Sequence, residues 1–578
     1  MRMLLHSLKG SLGILLSLTL LEAAQIPFQA HKHSAIPDLE GDDNNWDISR
    51  APNENATGHL VFETVNSFMQ HWPNTRYRNG VSAAHLWNEL GHSIVPGVIP
   101  PGTVLYHGRG DANTPTSPEW LATDPEHSYM FCRGQTADSG CWQLTVTAIR
   151  PLKVLYFDGS SAAKMQDGSM DSQDIIAYGK VVPEKFWSER ERIKNLCDWG
   201  NSDFEIDGFV RMEMDFEIML CDFNEGVLVE PVNLRARHRS GRWPGGPGRG
   251  PPGPGRHLEH LDRSSFDQSF NANTTTLPTS GFDAFHSGTW HRYYPGDTRI
   301  QLDLTRLVSF YDTSLVPSLV PERYGKERIK HRLLGISPKD LQAVVRKIEE
   351  LSAVSNPGSG VDWATLIRLI VKRYSERLEM VQYMLNLTYA GNSASQNKLL
   401  AENVQAQLVA MLQPYLLSII KPSQDPTSTE WVSPMYKLCA TTYTNYITTS
   451  SLHSRLTSSE HLILDGIHET TKEICRVVTG MWVDGIMAGL EPDYHKPAIT
   501  LEGVNNVDLE SLLYSWKERV YGLMKWLDWS VWLKCRPACG FEEMCYLPMW
   551  PFRQGSNESD DPQPGCVRRM ASLDGQGS

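Results

Sequence analysis

Beyond its N-terminus the sequence lacks any run of about 18 uncharged apolar residues, the length a helix needs to cross a bilayer, so no membrane span is expected there. It also lacks a surplus of positive charge. Lys and Arg number 54 against 67 Asp and Glu, and the formal net charge of -13 argues against general nucleic-acid binding because it repels a polyanion. P-loop, HExxH and GxSxG patterns are missing, which removes the usual signatures of nucleoside-triphosphate, zincin and serine-hydrolase chemistry. What the chain does hold is a folded protein's composition, 40% hydrophobic and 21% charged. At 578 residues it is too long for one ordinary core, so two domains are expected.

The first 25 residues place Arg2 and Lys9 ahead of an apolar run from Leu12 to Leu21 and then small residues at Ala23 and Ala24. That is the layout of a secretory signal peptide over 1–24, with an uncleaved anchor as the alternative. The 10 cysteines agree with export, since four lie before residue 230 and six after residue 430. Even counts on each side favour disulfides confined within each half, such as Cys132 with Cys141 and Cys197 with Cys221. Sequons at Asn55, Asn273, Asn386 and Asn557 suit a glycosylated surface.

Residues 25–57 are polar and read as a flexible leader. Apolar residues three and four apart in 59–72 and 81–94 then suggest helices. Strand-like runs follow at 103–107, 141–149, 152–157, 216–221 and 226–230, with a candidate helix at 185–196. Strands and helices without strict alternation indicate an α+β domain over 58–234. The stretch 235–256 holds six arginines, no acid and mostly Gly and Pro, so it reads as a linker. A mainly α-helical domain is expected over 257–552, with Ser337-Pro338 starting one helix and apolar periodicity marking others at 361–385, 397–420 and 511–533. Cys535, Cys539 and Cys545 could bind zinc, but export and the absence of a suitably spaced His favour disulfide staples. Residues 553–578 read as a disordered tail, Cys566 excepted.

One ordered set of motifs carries chemistry. The segment Leu105-Tyr106-His107-Gly108 ends a strand, Ser128-Tyr129 follows in WLATDPEHSYMF, and FEIMLCD opens a later strand on Glu217. The order resembles the His, Tyr and Glu motifs of ADP-ribosyltransferases, in the diphtheria-toxin-like and poly(ADP-ribose) polymerase branch. The likeness spans roughly residues 100–234 and implies that family's fold. It further implies that His107 binds a ribose hydroxyl and that the Gly108 backbone contacts the nicotinamide amide. The Tyr129 ring would stack on nicotinamide beside Ser128. Glu217 would stabilise the cation that develops on the ribose, a fixed charge supplied before the bond breaks.

Arg109-Gly110-Asp111 offers a rival frame, because arginine-type transferases begin from a similar Arg-Gly. The Ser-Thr-Ser strand of that branch is absent, and Glu213-Met214-Asp215-Phe216-Glu217 only loosely echoes its Glu-x-Glu loop. Asp124 and Glu126 read as turn or helix-start residues around Pro125. The resemblance implies NAD as substrate, an unidentified acceptor, no metal, and a secreted transferase or NAD glycohydrolase. The alternative is a secreted, non-enzymatic binding or surface protein on the same scaffold.

Overall fold

Alternating apolar residues build the first-half strands close to where the sequence suggests them. The computed structural model describes residues 46–53, 55–70, 91–132, 140–164, 168–212, 215–235, 287–288, 295–353, 358–387, 393–418, 420, 428–490, 508–546 and 564–568. The expected signal peptide and nearly all of the linker lie outside these residues. Strands β2 (Val104–Arg109), β4 (Cys141–Ala148), β5 (Leu152–Phe157), β7 (Phe216–Leu220) and β8 (Val227–Leu234) match the suggested runs. Three more complete the first half: β1 (Ser93–Ile99), β3 (Glu119–Ala122) and β6 (Gly208–Met212). Residues 93–94, read above as the end of a helix, open β1 instead.

The strands form one 10-stranded sheet in the order β10-β1-β5-β6-β7-β3-β2-β4-β8, with β9 also on β1. Its last members, β9 (Gln301–Leu302) and β10 (Val308–Ser309), come from beyond the linker segment and pair antiparallel with β1. Among the described strand pairs only β5 and β6 run parallel. Helices α2 (Pro125–Tyr129), α3 (Asp171–Tyr178) and α4 (Glu189–Asp203) fill the connections. Leu155, Phe157, Phe209 and Met219 on one side of the sheet join Ile175, Ile193 and Leu196 in a core that Val344 and Ile348 close from the second half.

The second half is mostly helical: α5 (Pro338–Ala353), α6 (Trp363–Leu385), α7 (Ala394–Leu412), α8 (Ser433–Thr441), α9 (Ser458–Met487) and α10 (Leu509–Leu527). The backbone N–H of Asp340 donates to Ser337 Oγ at 3.1 Å, the cap expected at the start of α5. Helix α1 (Gly58–Ser67) packs mainly against α9, α6 and α10 of the second half, while Phe68 at its end meets Tyr156 of β5 edge-on at 5.7 Å. Its Glu63 accepts from the Ser530 amide at 2.7 Å, and Arg368 donates to Asn66 Oδ1 at 3.1 Å. The two regions therefore exchange elements across the linker.

Thr457 and Glu460 form a capping box at the head of α9, where Glu460 also accepts from the Trp363 indole at 3.0 Å. Thr457→Ala is expected to lower unfolding free energy by about 1 kcal/mol in a denaturant titration.

Five disulfides join Cys132–Cys141, Cys197–Cys221, Cys439–Cys475, Cys535–Cys545 and Cys539–Cys566, and no cysteine is free. Both suggested pairs are present, and every bridge stays within its half. The sulfurs of Cys535, Cys539 and Cys545 gather closely, but all are spent in disulfides. In the expected tail, Gly565–Arg568 forms β12 against β11 (Glu543–Tyr546), held by the Cys539–Cys566 bridge. Among the described residues no helix is long and apolar enough to cross a membrane.

Candidate functional site

Strand order brings the three motif segments side by side, since β3 lies between β2, which carries His107, and β7, which carries Glu217. Beyond β3 the chain turns through Thr123 and Asp124 into α2, which bears Ser128 and Tyr129. Sequence separations of roughly a hundred residues thus collapse onto three neighbouring strands and one short helix.

Side-chain direction divides the motif. Facing residues of paired strands project to the same side of a sheet, and successive residues to opposite sides. Tyr106 faces Ala122, and Ala122 faces Glu217. Glu217 therefore shares its side with Tyr106 and Gly108, while His107 occupies the other. The His107 Nδ1 is hydrogen-bonded to the Trp120 carbonyl oxygen at 2.7 Å, and its ring lies 6.0 Å from that of Phe223. Burial lowers the His107 pKa, partly opposed by that hydrogen bond. His107 and Glu217 do not line one cleft.

Gly108 has a packing role. A Cβ there would sit 2.0 Å from the Ser128 carbonyl oxygen and 2.8 Å from the Cys132 amide nitrogen, so only glycine lets α2 rest on β2. Ser128 Oγ donates to the Pro125 carbonyl at 3.0 Å and accepts from Gln143 Nε2 at 2.6 Å. The Tyr129 hydroxyl donates to the Arg235 carbonyl at 2.9 Å, past the end of β8. The Cys132–Cys141 bridge fastens the end of this helix to β4. Arg109 pairs locally with Asp111 at 3.0 Å.

Glu217 is 9% exposed and belongs to a buried ionic lattice. Arg211, its cross-strand neighbour on β6, bonds it through Nε and bonds Glu189 of α4 through Nη2. A third contact runs from Arg211 Nη1 to Gln173 Oε1 at 3.2 Å. Arg192 then bonds Glu189 at 2.6 Å and Asp174 at 2.9 Å, and Lys164 stands 3.8 Å from Glu189. Burial pushes the Glu189 carboxyl up, but Arg211, Lys164 and Arg192 outweigh it and hold the group down to about 2.

A second cluster, which no local spacing announces, surrounds the start of α2. Thr123 Oγ1 donates to Asp215 at 3.0 Å, and His127 Nδ1 lies 3.7 Å from the same carboxylate. Asp124 precedes α2 as the turn residue the sequence suggests, and Arg299 pairs with it at 3.1 Å and with Asp297 at 2.7 Å. Arg299 comes from beyond the linker segment, so the ion pair ties the two halves together. Both clusters arrange charge for cohesion, because each carboxylate already has its cation or donor.

The class of protein to which this region is similar is the YPL277C N-terminal domain, whose family model matches residues 82–141 and 133–240. Over 596 residues the chain is 24% identical to the uncharacterized protein YOR389W of Saccharomyces cerevisiae, an alignment covering 92% of this chain and 87% of that protein. It is 29% identical over 246 residues to the uncharacterized protein YPL277C of the same yeast, covering 34% of this chain and 47% of that protein. No solved structure matches.

Proposed function

We propose that the chain is an exported binding or surface protein, built on a transferase-like scaffold without an assembled NAD-cleaving site. One observation carries the reading: the Glu217 carboxylate is held by Arg211 within a buried lattice, on the opposite side of the sheet from His107. A carboxylate that must stabilise a ribosyl cation needs an open approach for the dinucleotide. Export is supported by the N-terminal charge and apolar pattern and by five disulfides without a free thiol. The test is to incubate the full chain with NAD and measure free nicotinamide. The expected result is release at the buffer background, and sustained release above it would contradict the reading.

The second reading is an NAD-cleaving ADP-ribosyltransferase or NAD glycohydrolase, with Glu217, His107 and Tyr129 catalytic and with His107, Gly108, Ser128 and Tyr129 holding NAD. It is favoured by the adjacency of β2, β3 and β7, which places the three motif segments next to one another. That reading requires the Arg211 contact to open and the sheet to present His107 and Glu217 to one ligand.

A further inference from the structure

The end of helix α6 shows an apolar stripe to the outside. Met380 and Tyr383 lie three residues apart and Leu387 four further on, the spacing of one helical face, and they are 49%, 41% and 39% exposed. Neighbouring apolar side chains left outside mark a place that something else covers. The same turn runs into the triplet Asn386-Leu387-Thr388, an acceptor for N-linked sugar. Asn386 caps the helix, its backbone N–H donating to the Gln382 carbonyl at 3.0 Å, and it is partly exposed. Tyr383 stands one helical turn before it. Of the chain's four such triplets, those at Asn55 and Asn386 fall on described residues. Asn55 is exposed as well, but no large apolar side chain described within 46–70 is exposed beside it.

We propose that Asn386 carries an N-linked glycan whose first sugars lie over Tyr383 and Met380. The inference rests on the export reading above, because this transfer acts on chains that enter the secretory pathway. The donor is an oligosaccharide linked to a lipid diphosphate. A bond forms between Asn386 Nδ2 and the anomeric carbon of the first sugar, that carbon's bond to the diphosphate oxygen breaks, and the lipid diphosphate leaves while the transferase takes one amide proton. The sugar is bulky and must finish outside the folded chain, which the cap position of α6 allows. A pyranose presents a C–H face to the electron-rich face of the Tyr383 ring and turns its hydroxyls to water. The stripe is thereby covered without a protein partner, independently of any activity at Glu217.

The test is to express the full chain in a eukaryotic host and collect it from the medium. N-glycans are then released by an amidase in heavy-oxygen water, and the peptide carrying residue 386 is weighed. A glycosylated Asn386 is expected to return as labelled Asp, whereas an unlabelled Asn386 in the secreted chain would overturn the proposal alone. A chain that never leaves the cell would overturn the export reading and the proposal with it. Coverage is read by binding of an apolar dye. Asn386→Gln and Thr388→Ala are expected to bind more dye than wild type, and Thr388→Ser, which keeps the triplet, to match wild type. Adding Tyr383→Ser to Asn386→Gln should remove most of the gain, and Asn55→Gln should give none. Equal dye binding by wild type and Asn386→Gln would overturn the coverage. Should Asn386→Gln not be secreted, amidase treatment of the native wild type gives the same reading, and unchanged dye binding after release of the sugar overturns it.

Discussion

Arg211→Met is expected to lower the unfolding free energy by about 3–5 kcal/mol, the usual cost of removing one partner from a buried ion pair. The side chain is 1% exposed and bonds both Glu189 and Glu217, so its loss strands Glu217 and leaves Glu189 with only Arg192 and Lys164. A denaturant titration measures the change, and a loss below about 1 kcal/mol would mean that water already solvates the lattice. The companion Arg211→Met with Glu217→Leu should recover part of the loss, because an apolar pair of similar volume is often as stable as the ion pair it replaces. The remainder belongs to Glu189. The effect depends on pH in a definite sense. Glu189 titrates near 4.5 when unfolded and at about 2 when folded, so its contribution is complete above the higher value and fades as pH falls toward the lower. The gap between wild type and Arg211→Met should therefore narrow in acid.

Gly108→Ala is expected to cost about 3 kcal/mol, at the upper end of the usual overpacking range. The added methyl would meet the Ser128 carbonyl oxygen at 2.0 Å, and that backbone is anchored by the Cys132–Cys141 bridge and by Gln143, so it cannot simply move away. Thermal unfolding reads the loss. If Gly108 served only to let a ligand approach its backbone, the variant would fold with wild-type stability and lose binding alone.

Much of the sheet was legible because β2, β4, β5, β7 and β8 carry apolar alternation or short apolar runs. Strand β1 was not, since Pro96 and Gly97 break its pattern in a place where sheets rarely accept proline. Pro96 is tolerated because it falls between the β10 pairing at 93–94 and the β9 pairing at 97–98. Helix α9 is not legible in the sequence for a different reason: residues on nearly every side of it are buried, so the amphipathic stripe that marks a surface helix is missing. Helix α1 was recognisable as a helix, but its apolar residues do not say which half of the protein covers them.

The candidate site shows the same division. The confinement of disulfides within each half and the turn role of Asp124 are legible in the cysteine counts and in local turn chemistry, whereas the individual pairings Cys132–Cys141 and Cys197–Cys221 are fixed only by the fold. The direction of Glu217 is not legible either, because alternation leaves a strand's first residues free to face either side until its neighbours are known. Its partners Arg211 and Glu189 stand on another strand and on a helix, and Arg299 reaches Asp124 from 175 residues away. Such pairings depend on topology, and no spacing within a segment encodes them.

Replacing Glu217 by Gln and following stability and nicotinamide release from NAD in the same preparations is the most direct measurement. A structural Glu217 predicts that the unfolding midpoint falls and that wild type and variant both stay at background release. Release by the wild type that disappears in Glu217→Gln, with the midpoint unchanged, would contradict it and make Glu217 a catalytic residue.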